Sequence, residues 1–270
     1  MPKIARRHRK KSEVVLRAAR PNVGLQYAYR RRLDDLVRAM NDSVTYWLRA
    51  AFKSDPPKMA ADALPAKELQ AAMRRLGGQW ERNFDEAAPK LAEWFGRAAS
   101  KRSDAALRAI LKKGGISVEF RQTAASRDIL QATINANVSL IKSIPEQYLT
   151  QVEGMVMRSV QTGRDLGQLT KEIEEQYGVT RRRAAFIARD QNNKCTSAVQ
   201  KARQLELGLD EGIWMHSGGG KHPRPKHVAA DGTRFKLSKG MKIGDKGQWV
   251  MPGEEPNCRC VWRAVVPGFG

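Results

Sequence analysis

From Leu25 to Leu205 apolar residues return mostly at every third or fourth position, a spacing that commits most of the chain to amphipathic helices. Leu25, Tyr29, Leu33, Leu36, Val37, Met40, Val44, Trp47, Leu48 and Ala51 predict one long helix, ended by Asp55-Pro56-Pro57. A second helix is expected from near Pro65 to Gly77-Gly78. A third carries Trp80, Phe84, Ala88, Leu91, Trp94 and Phe95, with Pro89 placed to kink or split it. Ser103-Asp104 start a short fourth helix that Gly114-Gly115 stop. Aromatic residues at this spacing read as core, not as cofactor contacts. Ile116, Val118 and Phe120 alternate, which suits a short strand or an extended linker and marks a boundary. Beyond it Ser126 can cap a helix with the stripe Leu130, Ile134, Val138 and Ile141, and Pro145 suits the first turn of another that ends at Gly163. Asp165 and Gln168 form an N-cap signature for a helix closed by Gly178, and Thr180 can cap a last one that runs to Gly208. Cys195 lies on the apolar face of that last helix, as a small buried hydrophobe.

After Gly212 the period changes. Ile213–His216, Thr233–Leu237, Gln248–Met251 and Arg259–Val266 read as short strands, with a glycine loop at Gly218–Gly220 and a turn at Asp231-Gly232. The expected fold is a mainly α N-terminal region followed by a small C-terminal α+β module of short strands. Four segments follow from this: residues 1–20, a basic N-terminal arm; 21–115, a helical region; 116–212, a second helical part; and 213–270, the strand-containing module.

Charge narrows the partners. The 270 residues carry 49 Lys and Arg against 28 Asp and Glu, a formal net charge of +21. A chain this basic repels itself unless it meets a polyanion, and nucleic acid is the abundant one. The arm contains Lys3, Arg6, Arg7, Arg9, Lys10, Lys11, Arg17 and Arg20 against the acid Glu13, with His8 as a further potential cation. Arg6, Arg7, Arg9, Lys10 and Lys11, together with Arg181, Arg182 and Arg183 on the last helix, are the candidate phosphate contacts; diffuse charge of this kind binds without reading sequence. No stretch approaches the roughly eighteen apolar residues of a membrane span, and the N-terminus lacks the apolar core of a secretory signal. Cytoplasmic synthesis is therefore expected. Three cysteines, two of them separated by a single residue, make no disulfide framework.

Candidate chemistry collects in W-M-H-S-G-G-G-K-H-P-R-P-K-H-V-A-A-D-G and P-G-E-E-P-N-C-R-C, between Trp214 and Cys260. His222, His227, Cys258 and Cys260 supply the number and kind of donors that a zinc ion takes. The Cys-x-Cys spacing is unlike a finger, however, because it sets both sulfurs on one face of a strand. A packed core with His227 on backbone is the competing reading. No P-loop, G-x-S-x-G or dinucleotide fingerprint occurs, so no turnover reaction is expected.

Ile187-Ala188-Arg189-Asp190-Gln191, then Gly208, Trp214, R-P-x-H-x-x-x-D-G at Arg224 to Gly232, and P-G with N-C-R-C at Pro252 to Cys260 form a set. In this order the set resembles the tailed-phage head morphogenesis proteins, the Mu F-like minor capsid family, over roughly residues 135 to 265. Trp214, Arg224, His227, Asp231, Gly232, Asn257, Cys258 and Cys260 are its motif positions. Some relatives carry Cys-x-x-Cys where this chain has Arg224 and His227; Arg224 cannot ligate zinc, so a four-donor site here requires His222 or another group. The resemblance implies a minor structural protein of the phage head, in several copies near the portal. It implies contact with portal and major capsid proteins and with packaged double-stranded DNA, and no membrane during assembly. Host cytoplasm and then the virion head are the implied locations, and 116–212 becomes the helical part of the head-morphogenesis domain. The competing reading is a DNA-processing enzyme or toxin-like module using the C-terminal His/Asp/Cys cluster.

Overall fold

The computed structural model describes residues 13–53, 66–163, 165–220 and 222–268. Candidate phosphate contacts Arg6, Arg7, Arg9, Lys10 and Lys11 lie outside these residues. The elements run β1 (Val14–Val15), α1 (Val23–Lys53), α2 (Ala66–Lys113), α3 (Ala124–Gln161), α4 (Leu166–Glu206), β2 (Glu211–Met215), α5 (Pro225–Ala229), β3 (Arg234–Lys236) and β4 (Val261–Val266). Of the described residues 67% are helical, with long helices in the N-terminal part and a small C-terminal region whose strands, joined by β1, form a four-stranded antiparallel sheet, so the expected fold class holds.

Two compact units divide the chain, and α2, α3 and α4 each contribute to both. The first comprises Val23–Ala98 and Gln131–Gln191, apart from undescribed positions. It is a helical core, with Tyr29, Leu33, Val37, Met40 and Val44 of α1 buried alongside Phe84 and Phe95 of α2, Ile141 and Tyr148 of α3, and Ile173 and Ala184 of α4. The Tyr29 and Phe95 rings stack at 4.3 Å. The Tyr29 hydroxyl donates to Asn137 Oδ1 at 2.8 Å, and Asn137 Nδ2 donates to Gln191 Oε1 at 3.1 Å, so these three buried side chains pair with one another.

The second unit holds residues 13–22, 99–130 and 192–268 among the described residues. Its sheet has the order β1-β4-β2-β3. β2 pairs along its full length with β4, Trp214 facing Trp262, and its other edge takes β3, Gly212 facing Phe235. Gly212 is needed there: a Cβ would stand 2.9 Å from Leu237, 3.0 Å from Trp262 and 3.2 Å from Phe235. Trp214, Phe235, Leu237, Val250, Met251, Cys258, Cys260 and Trp262 form one apolar cluster, and Leu16, Leu107, Leu111, Leu209, Ala264 and Val266 another.

Several local expectations change. The helices predicted to stop at Gly77-Gly78 and start again at Ser103-Asp104 are one, α2. Gly77 is buried on a packed helix face, where a Cβ would meet Leu149 only at ordinary contact distance, 3.9 Å, so burial of the helix outweighs a glycine cost of about 1 kcal/mol. Pro89 and Asp85, whose carbonyl loses its partner, are both exposed, so water can satisfy that carbonyl and the helix continues. Pro145 likewise sits inside α3, not in a first turn. Gly178 does not end α4, and Thr180 does not cap a new helix; its hydroxyl donates to Gln176 O within the same one. Thr123, not Ser126, caps α3: Ser126 N donates to Thr123 Oγ1 at 3.2 Å and Thr123 N to Ser126 Oγ at 2.9 Å, a reciprocal box. Asp165 does cap α4, accepting from Gln168 N at 3.0 Å. Ile116, Val118 and Phe120 form no strand and pack on the cluster around Leu111. The stretch Gln248–Met251 is reduced to a bridge between Met241 and Val250. Within residues 13–20, read as part of the basic N-terminal arm, β1 pairs with β4, Leu16 is buried, and Arg234 bridges Glu13 to Glu211.

Candidate functional site

The C-terminal motifs converge beside the end of β2. Asp231 Oδ1 accepts from His216 N at 2.8 Å, and Gly232, in the left-handed region at φ 76°, donates to Trp214 O. This turn returns the chain to β3 and fixes the end of α5, where His227 is buried. Opposite, the 252–260 loop is shaped by Gly253 at φ 83° and Asn257 at φ 61°, the latter an uncommon conformation for a residue with a side chain. A Cβ on Gly253 would lie 3.3 Å from Cys260 O and 3.5 Å from Asn193 O.

Cys258, Cys260 and His227 are brought together by these two segments. Cys258 Sγ lies 3.5 Å and Cys260 Sγ 3.8 Å from the same His227 Nδ1, and all three residues are buried. At the opposite edge of the ring Nε2 stands 2.9 Å from Glu255 Oε2, a carboxylate that is itself only 6% exposed; neither of these two buried atoms has a hydrogen-bond partner among the described residues. Glu255 Oε1 accepts from Asp245 N and Gln248 Nε2, and Arg224 stands 3.5 Å from Oε2. Trp214 meets the His227 ring edge-on at 5.2 Å. The hydrogen bond from Cys260, with the Gly253 N–H and His227, pulls the Cys258 thiol toward its thiolate, while the same contact with Cys258 and burial push Cys260 up.

His222 does not join this group. It is exposed and lines a cleft of about 230 Å³ together with His216, Arg224, Asn257 and Arg259, and the three buried donors face the same cleft. Arg224 is a strut: its Nε donates to Asp245 at 3.0 Å and its Nη2 to Pro256 O at 3.1 Å. Of the candidate phosphate contacts on α4, Arg182 is exposed, Arg181 lies 3.6 Å from Asp34, and Arg183 donates to Ser143 Oγ at 2.8 Å.

Periodicity did not reveal two kinds of residue. Glu255 lies in P-G-E-E-P, which reads as a turn. The other kind is a buried polar stripe on α4, where Asn193 Nδ2 donates to Cys258 O at 2.8 Å, Ser197 to Pro252 O at 2.7 Å, and Gln204 accepts from Trp262 Nε1 at 2.7 Å. Asn193 and Ser197 therefore hold the loop that carries the sulfurs, and Gln204 holds β4, which follows it. The signal was present as a run of amides and hydroxyls on a helix face that must be buried, since such groups are buried when they have fixed partners.

Residues 150–263, which contain α4, the 252–260 loop and the motif positions above, match the family described as Phage Mu protein F like protein. Over these residues the chain is similar to that family. The family resemblance drawn from the motifs is thus supported by the match. An uncharacterized protein of Haemophilus influenzae (strain Rd) is 28% identical over 244 residues, covering 88% of this chain. The chain spans about half the length of that curated relative, 52%. No solved structure matches.

Proposed function

We propose that this chain is a minor structural protein of a tailed-phage head, acting in head morphogenesis near the portal and contacting packaged DNA without sequence preference. The observation that carries the reading is the Mu F-like match across the whole convergent C-terminal site. The charge supports DNA contact: a formal +21 favours release of counterions from a polyanion. The partners are the portal and major capsid proteins and double-stranded DNA, and the protein works in several copies, first in the host cytoplasm and then in the virion head. The described helices suit that path, since none is long and apolar enough to cross a membrane. The C-terminal cluster holds the module together and performs no turnover.

Disruption of the gene in a phage that encodes it tests the proposal. Loss of filled heads, with the protein detected in wild-type virions by immunoblot, is the expected result; normal heads lacking the protein would overturn it. Filter binding with unrelated duplexes across a salt series tests the DNA contact, and affinity should fall steeply and equally for all of them. A strong preference for one sequence at moderate salt contradicts the reading. The clustering of His227, Cys258 and Cys260 at a cleft favours the DNA-processing alternative to one degree: it predicts nicking of supercoiled DNA with divalent metal, abolished by His227→Ala. Intact DNA is the outcome expected here.

A further inference from the structure

We propose that Cys258, Cys260 and His227 Nδ1 bind one zinc-class divalent ion through three protein donors, that Glu255 orients the histidine, and that the fourth coordination position opens into the adjacent cleft. Among the described residues these three donors lie within 4.8 Å of one another. A tetrahedral zinc ion with sulfur at ~2.3 Å and nitrogen at ~2.05 Å sets its sulfur and nitrogen ligands about 3.6 Å apart. The sulfur-to-nitrogen distances of 3.5 and 3.8 Å bracket that value. Two thiols pointed at one imidazole nitrogen are poorly satisfied by hydrogen bonding alone, because a neutral ring nitrogen offers a single lone pair. An ion shared by all three removes that conflict.

The surroundings are those of a metal ligand set. Metal-bound histidines place the second ring nitrogen on a carboxylate, which fixes the tautomer, and Glu255 Oε2 stands 2.9 Å from His227 Nε2. That carboxylate is buried and held by Asp245 N, Gln248 Nε2 and Arg224, so its position is built rather than incidental. A donor also faces one of the sulfurs: Gly253 N–H donates to Cys258 Sγ at 3.4 Å. Two thiolates with one imidazole suit zinc or a similarly borderline-soft ion over magnesium or calcium.

The number of donors sets the character of the site. A closed structural zinc has four protein ligands, whereas three leave a position for water or an incoming ligand. His222, the fourth donor expected from the sequence, is exposed and outside the donor group, although it lines the same cleft. The open position therefore faces His216, His222, Arg224, Asn257 and Arg259, groups that suit water or a small anion.

The test uses the full chain, made in zinc-supplemented medium, cleared of free metal by gel filtration and analysed for metal. About one zinc per chain is expected, with a drop in melting temperature on chelation that added zinc restores. Cobalt exchanged into the site should give a thiolate-to-cobalt absorption, and imidazole or cyanide added to it should shift the visible bands by filling the open position. Glu255→Gln should weaken zinc binding about 10- to 100-fold while leaving the cobalt–thiolate band in place. His222→Ala should keep both stoichiometry and spectrum, and Cys258→Ser with Cys260→Ser should abolish the band. Wild-type chain with no stoichiometric metal, and a melting temperature indifferent to chelator and zinc, overturns the site whether or not the cysteine variants fold. Loss of metal in His222→Ala, or no spectral response to added ligand, overturns the open position. These readouts use neither virions nor DNA, so the head-protein reading stands or falls separately.

Discussion

Arg203 brings a permanent charge into a place where only 5% of its side chain meets solvent. Its guanidinium takes Asp104 in a fork, at 2.9 and 3.0 Å, donates to Arg121 O at 2.8 Å, and lies 5.0 Å over the Phe120 ring. That single side chain fastens the end of α4 to the end of α2 and to the extended segment after it. Replacing Arg203 by Ala should cost about 3 kcal/mol, because it leaves Asp104 and a carbonyl unpaired, and urea denaturation of the full chain measures it. Arg203→Lys should recover only part of the loss, since an ammonium lacks the fork. Gly253 gives a second case. A Cβ there meets both a left-handed backbone and the Cys260 carbonyl, so Gly253→Ala should cost roughly 1–2 kcal/mol in thermal unfolding. Equal stability of the variant would show that the loop adapts.

At the scale of elements, α4 is the instructive one. Its sequence carries a glycine, then a threonine at capping distance, and local rules read these as an end and a start. The helix nevertheless runs from Leu166 to Glu206, because Ile173 before the glycine and Ala184 and Ile187 after it are buried along one continuous face. Packing of both halves outweighs the propensity of one residue. Gly178→Ala should therefore stabilise the chain by about 0.5–1 kcal/mol, since its Cβ would meet only the flexible end of Arg182 at 3.4 Å. Destabilisation would mean that the break is real. The α3 cap behaves as local chemistry requires, with only its assignment moved from Ser126 to Thr123. Thr123→Ala should lower stability by about 1 kcal/mol, visible in the same thermal measurement.

For the whole molecule, the N-terminal stretch separates folding from charge. Removing residues 1–12 takes away Arg6, Arg7, Arg9, Lys10 and Lys11, and should weaken DNA binding and flatten its salt dependence while the melting temperature stays unchanged. Removing residues 1–20 also takes β1 and the buried Leu16, and exposes the edge of β4, so this truncation should melt several degrees lower. Calorimetry and filter binding on both truncations distinguish the two effects. If both melt alike, the pairing of β1 contributes nothing to stability.

Properties carried by near neighbours were legible in the order of residues: the helical period, the change of period after Gly212, the Asp231-Gly232 turn, the buried role of Cys195, and the motif set in the segment similar to the Mu F-like family. Continuity of α2 and α4 was not legible, because a local stop signal is weak against burial supplied by distant segments. Nor was β1, two residues whose pairing with Val265 and Val266 joins opposite ends of the chain. The candidate centre divides in the same way. Cys258, Cys260 and His227 were recognisable by residue type, but the exclusion of His222 and the place of Glu255 on the far side of the ring depend on where the 252–260 loop lies. That loop is held by Asn193, Ser197 and Arg224, through hydrogen bonds between segments far apart in sequence that no spacing along the chain encodes.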